Sequence, residues 1–173
     1  CEDVWDENEG MAIYRQSPLQ QLAALHVDIV LNLSASPYHM GKQEMRCFVF
    51  HQAAQTVQAP ILFCNQVGAN DGLIFDGGSF LMGPTGMLSQ APAFLEADFW
   101  VDFSLDKTPD ASVVPSKSIE SLVEAILLGI RDYVRKTGFE RVCLGLSGGI
   151  DSAVVACLAR LALGPERVFT LYM

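Results

Sequence analysis

The stretch Arg141–Ala156, R-V-C-L-G-L-S-G-G-I-D-S-A-V-V-A, combines residue types that bind anions. Val142–Leu146 is an apolar run short enough for a buried parallel strand, and the continuous apolar segment from about Asp151 predicts a helix. Ser147, Gly148 and Gly149 join the two, and glycines let a backbone turn tightly and come close to a ligand. Unpaired N–H groups of the first helical turn, aided by the helix dipole, then make an anion site. Ser147 and Ser152 add hydroxyl donors around the same concavity. No Lys follows the glycines as G-x-x-x-x-G-K-[ST] requires, and the third glycine of a dinucleotide fingerprint is missing. The plain alternative is a Gly-rich turn with Asp151 or Ser152 capping a core helix.

Cys1, in C-E-D-V-W, is the second chemical candidate. A cysteine at a strand end, before a turn and a helix, can be held exposed as a nucleophile, and its thiolate is the reactive form. The other four cysteines, Cys47, Cys64, Cys143 and Cys157, sit inside apolar segments and read as small buried hydrophobes. An odd count of five without C-x-x-C spacing fits a reducing cytoplasm. His26, His39 and His51 lack metal-ligand spacing, which argues against zinc.

The elements that must position these groups alternate. Ser17-Pro18 opens a helix that is apolar at Leu19, Leu22, Ala23 and Leu25. Ile29–Leu33 reads as a buried strand running into S-A-S-P-Y-H-M-G-K. Lys42–Gln58 reads as a helix with Met45, Phe48, Val49 and Ala53 at helical spacing, and Pro60–Val67 as a second buried strand. Short strands separated by D-G, G-G and G-P-T-G turn signals follow. Among them a hairpin joins Phe80–Met82 to Met87–Leu88, and Asp98–Phe103 reads as a last, partly exposed strand. Asn70-Asp71 and Asp76-Gly77 read first as turns, and Trp5 and Trp100 as packing residues. The polar, proline-bearing segment 106–117 reads as a linker. Beyond it Ser118 is a helix N-cap with Glu120 in the first turn, and apolar positions 119, 122, 123, 126, 127, 130, 133 and 134 mark one broad face. Gly138 supplies a left-handed cap, and Phe169–Met173 begins another strand. Alternating strand and helix predict an α/β chain, with the glycine loop where a doubly wound sheet takes a nucleotide.

Half of the 173 residues are hydrophobic and 18% are charged, enough apolar material for a core. A net charge of −9 argues against a nucleic-acid groove. No apolar run approaches the ~20 residues of a membrane span.

S-G-G-I-D-S resembles the pyrophosphate loop of the ATP pyrophosphatase superfamily, whose members adenylate a carbonyl oxygen and release pyrophosphate. The resemblance implies that Ser147, Gly148, Gly149, Ile150, Asp151 and Ser152 hold ATP, and that Asp151 has a part in a magnesium site. C-E-D-V-W, L-N-L-S-A-S-P-Y and N-Q-V-G-A-N-D-G-L-I-F-D-G-G-S resemble, in that order, the C-terminal half of a nitrilase-type (carbon–nitrogen hydrolase) domain. They are most similar to the glutaminase domain of glutamine-dependent NAD synthetases. That resemblance implies Cys1 as the nucleophile on the glutamine amide, with Ser36 and Lys42 holding glutamine. Read from the residues alone, Ser36 is also a turn serine before Pro37, and Lys42 a solvated charge at a helix start.

Together the resemblances imply half of an α-β-β-α sandwich at 1–105, a linker at 106–117 and the start of a pyrophosphate-loop domain at 118–173. They imply glutamine-dependent NAD synthesis in which ammonia reaches an adenylated deamido-NAD, and also homo-oligomers. The family's Glu base and Lys come from positions before the Cys, and the synthetase half stops 26 residues after Ser147. The chain is therefore expected to be an internal piece of a longer enzyme, inactive by itself. Two other readings stay open. One is an asparagine synthetase-like amidotransferase using Cys1 with its own α-amine as base, and the other a non-catalytic binding segment.

Overall fold

The computed structural model describes residues 4–5, 17–98, 100–101 and 118–173. Cys1, the expected linker at 106–117 and part of the expected strand at 98–103 lie outside them. Residues 98, 100 and 101 belong to no strand. The chain is a mixed α/β structure in two compact units, Cys1–Val67 with Phe75–Lys117 and Gly68–Ile74 with Ser118–Met173.

In the first unit, helix α1 (Pro18–Ala24) precedes strand β1 (Val30–Ser34), helix α2 (Lys42–Val57) and strand β2 (Ile61–Asn65). Further along the chain come β3 (Val67–Asn70) and β4 (Leu73–Asp76), of which Gly68–Ile74 belongs to the second unit, and then β5 (Phe80–Gly83) and β6 (Gly86–Gln90) of the first. One sheet has the order β1-β2-β5-β6, parallel between β1 and β2 and antiparallel after that. β5 and β6 form the expected hairpin across Pro84-Thr85. Strand alternation sends Ile61, Phe63, Phe80 and Met82 to the face that α2 covers. Phe50 of α2 meets Phe63 and Phe80 there at centroid distances of 4.7 and 5.3 Å. On the opposite face Leu31 and Leu33 are 66% and 80% exposed, so β1 is not the buried strand its composition suggests, whereas Leu81 of β5 is buried there.

The phase of α2 also differs from expectation. Its buried positions are Gln43, Arg46, Cys47, Val49, Phe50, Ala53, Ala54 and Val57, whereas Met45 and Phe48 point to solvent. Phe50, Ala53 and Ala54 fit against the aromatic sheet, and that packing brings Arg46 and Gln43 inward with them. Cys47 is buried as expected, but Cys64, Cys143 and Cys157 are exposed. Apolar neighbours in sequence could not reveal that Cys64 lies on the uncovered sheet face. Trp5 packs at the core edge, while Trp100 is almost fully exposed.

In the second unit, helix α3 (Ile119–Lys136) is capped as the sequence predicts. The Ser121 N–H donates to Ser118 Oγ at 3.1 Å. Its own backbone N–H, then the Ser118 hydroxyl, hold the Glu120 carboxyl below the usual range. At the other end Gly138 takes φ +77 while the N–H groups of Gly138 and Phe139 donate to Arg135 O and Val134 O. That pair of bonds is a Schellman cap. Of the expected apolar face, Leu127 and Val134 are buried, but Ile119 and Tyr133 are exposed. Asp132 is buried, and its Oδ2 accepts the Ala69 N–H at 2.8 Å, clasping the β3–β4 turn to α3. A Cβ on Gly68 would come within 2.9 Å of that oxygen, so the close approach needs glycine. Strand β7 (Val142–Leu146), helix α4 (Ile150–Leu163) and strand β8 (Val168–Tyr172) complete the unit, with β7 and β8 parallel. Among the described residues no helix is long and apolar enough to cross a membrane.

Candidate functional site

The glycine loop stands at the carboxyl end of β7, where open α/β sheets bind ligands. Gly148 adopts φ +80, a conformation costly for any residue with a Cβ. A Cβ there would meet nothing within 4 Å, so Gly148 is needed for its backbone angle and not for space. Gly149 is the N-cap of α4 in an extended conformation and receives no side-chain cap. Neither Asp151 nor Ser152 caps the helix, contrary to the capping part of the plain alternative. The Ala153 N–H bonds to Gly149 O at 3.2 Å, so the N–H groups of Ile150, Asp151 and Ser152 precede the first helical carbonyl partner.

The hydroxyls border that opening. Ser152 Oγ donates to Gly149 O at 2.9 Å and lies 3.4 Å from Ser147 Oγ. Residues 147–151 are all exposed, and the Ile150 side chain turns out to solvent. The result is a shallow opening of backbone N–H donors, bordered by two hydroxyls, at the positive end of a helix. Asp151 is a single exposed carboxylate in the first turn. Among the described residues no group of three His, Cys, Asp or Glu side chains is placed to hold a metal. Its hard oxygen donor fits magnesium of the kind that keeps waters and phosphate oxygens as its other ligands.

The second set of expected residues lies beyond the carboxyl end of β1. Ser36 is buried and fixed at every polar atom. Its N–H donates to Asn65 Oδ1 at 2.8 Å, and its carbonyl accepts from Arg46 Nη2 at 2.8 Å and Asn65 Nδ2 at 3.2 Å. Its Oγ accepts from Arg46 Nε at 3.1 Å. Lys42 opens α2 after Gly41, whose φ is +84, and its Nζ lies 4.1 Å from the Trp5 ring centroid.

Arg46 is the residue that sequence reasoning missed. It is fully buried and spends all five N–H donors: on Ser36 Oγ, Gln43 Oε1, Asp76 Oδ2, Ser36 O and Pro37 O. Asp76, expected in a turn, is the last residue of β4 and pairs with Arg46 at 2.8 Å; its Oδ1 has no partner among the described residues. Gln43 continues the network to Gly78 O at 3.0 Å. The available signal was phase, because Gln43, Arg46, Phe50, Ala53 and Val57 share one helical stripe in which two positions are polar. Beside the network, a cleft of about 870 Å³ is lined by Asn65, Gly77, Gly78, Ser79, Leu95 and Trp100, among others.

These features define an α/β chain with an exposed glycine loop after a parallel strand, and residues 122–173 match the NAD synthase family. The similarity extends over the whole chain. It is 39% identical to a glutamine-dependent NAD(+) synthetase of Synechocystis, covering 100% of this chain and 32% of that protein. It is 40% identical to one of Rhodobacter capsulatus, over 97% of this chain and 30% of that protein. The solved glutamine-dependent NAD+ synthetase of Acinetobacter baumannii, in complex with ADP, superposes with a TM-score of 0.87 at 37% identity, over 100% of this chain and 32% of that one. The chain is thus related along its entire length to the glutamine-dependent NAD(+) synthetases, and it spans about a third of the length of those relatives.

Proposed function

We propose that the protein carrying this chain makes NAD from deamido-NAD with glutamine as the nitrogen donor, and that the chain contributes parts of both sites. The observation that supports this most is the exposed cradle at Ser147–Ser152, set after a parallel strand in a chain related throughout to glutamine-dependent NAD(+) synthetases. That relation also favours this reading over an asparagine synthetase-like enzyme.

In the first reaction the Cys1 thiolate attacks the side-chain carbonyl of glutamine, a thioester forms, and the C–N bond breaks to release ammonia. Water then cleaves the thioester to glutamate. Ser36 and Lys42 hold the glutamine. In the second reaction the nicotinate carboxylate of deamido-NAD attacks the α-phosphorus of ATP, and pyrophosphate leaves. Ammonia next displaces AMP from the adenylate to give the amide. The backbone N–H groups of residues 149–152, with the hydroxyls of Ser147 and Ser152, hold the phosphates. Asp151 and the phosphate oxygens would hold magnesium, which supplies charge screening for the leaving pyrophosphate. We place the boundary between the two activities at 106–117, and infer a cytoplasmic homo-oligomer. The isolated 173 residues are expected to have neither activity.

The test uses the full-length protein. Cys1→Ala is expected to abolish NAD synthesis from glutamine and to leave synthesis from ammonium chloride near wild type, both measured as NAD formed. Equal loss of the two would sink the proposed division of labour.

A further inference from the structure

Ser36 Oγ accepts a hydrogen bond from a guanidinium, and a guanidinium can only donate. One lone pair of the hydroxyl is therefore committed, and its proton must point elsewhere. Among the described residues nothing accepts that proton. Arg46 cannot swing away, because its other four N–H groups are held by Gln43, Asp76, Ser36 O and Pro37 O in full burial. Asn65 fixes the Ser36 peptide from the other side, through both its N–H and its carbonyl. The loop thus holds one serine hydroxyl in one hydrogen-bonding sense, as a donor.

We propose that Arg46 is a positioning residue for glutamine, holding Ser36 as an obligate hydrogen-bond donor to the substrate's α-carboxylate. The inference rests on the reading of Ser36 as part of a glutamine site. Glutamine offers two kinds of acceptor oxygen, and the amide carbonyl is the one attacked by the nucleophile. The α-carboxylate remains, and it accepts without donating, which matches a hydroxyl whose direction is already set. A serine in a plain turn would gain nothing from having its hydroxyl locked by a buried cation.

The experiment measures glutamate and ammonia release by the full-length protein with two substrates: glutamine, and 4-aminobutanamide, which is glutamine without the α-carboxylate. Arg46→Lys keeps the charge and loses the planar fork. It is expected to raise KM for glutamine about 10–100-fold with little change in kcat, the scale of one lost bond to a charged group. Its kcat/KM for 4-aminobutanamide should stay near wild type. Ser36→Ala should show the same pattern, and the double variant should be no worse than either single one. Thermal melting reports whether Arg46→Lys folds. If it does not, Asp76→Asn, which weakens the anchor of the guanidinium, takes its place and should raise KM for glutamine alone. Ser36→Ala without effect on glutamine would reject the glutamine site itself. If Ser36→Ala acts but Arg46→Lys or Asp76→Asn leaves KM unchanged, or slows both substrates equally, only the role of Arg46 is overturned. Independent, multiplying effects in the double variant overturn it as well.

Discussion

Ser36 and Ser147 each stand just past the carboxyl end of a parallel strand, but their surroundings differ in kind. Around Ser36 a fully buried Arg46 and Asn65 take up the backbone and side-chain acceptors of the loop. Around Ser147 the loop is exposed, its helix has no side-chain cap, and its donors face outward. The first is a loop made rigid from beneath, with one hydroxyl proton to offer. The second is an exposed loop of backbone donors at a helix N-terminus. A neutral or singly charged substrate is selected by a few fixed directions, whereas a polyphosphate is held by many dipoles and the helix end.

That contrast can be broken most severely at Arg46. Arg46→Ala leaves the Asp76 carboxylate buried without its partner and should destabilise the first unit by about 3–5 kcal/mol, read as a lower urea midpoint. Gly148→Ala tests the open loop, where φ +80 is the constraint. It should cost about 1–2 kcal/mol in the loop's native conformation, about 5–30-fold in apparent ATP affinity, with little change in melting temperature. Loss of stability without loss of ATP affinity would mean that the loop is structural after all.

Smaller effects sharpen the comparison at positions outside both loops. Ser118→Ala should lower stability by about 1 kcal/mol, and Ser118→Gly by only a few tenths, since the cap of α3 is one hydroxyl on one N–H. Cys47 reports the burial of α2. Burial, and then the Glu44 carboxylate, push its thiol up to about 11 from the ordinary 9.0. The stability contributed by the neutral thiol is therefore complete below pH 9 and lost as pH rises from 9 to about 11. Iodoacetamide at pH 8 should modify Cys64, Cys143 and Cys157 in the folded protein well before Cys47, as mass spectrometry would show. Early modification of Cys47 would place α2 in the wrong phase.

The local signals of the chain were legible because they act over one or two turns. Ser118, Gly138, the Pro84-Thr85 hairpin and the passage from Val142–Leu146 to the helix at Ile150 all form where capping, turn and periodicity rules put them. The conformation of the glycine loop was legible for the same reason, since a strand, two glycines and a helix set one another's geometry. Which face each element buries was decided elsewhere. Met45 and Phe48 looked like core and are exposed, while Arg46 and Asp132, which no periodicity singled out, are buried.

Sequence alone determined the kinds of element, their order and the turn of the glycine loop, because hydrogen bonds between near neighbours in the chain fix them. Only the tertiary structure decided that Arg46 reaches Asp76 across 30 positions and that Asp132 reaches Ala69 across 63. A buried charge is tolerated only where distant segments bring enough acceptors together. No periodicity in one helix can announce that.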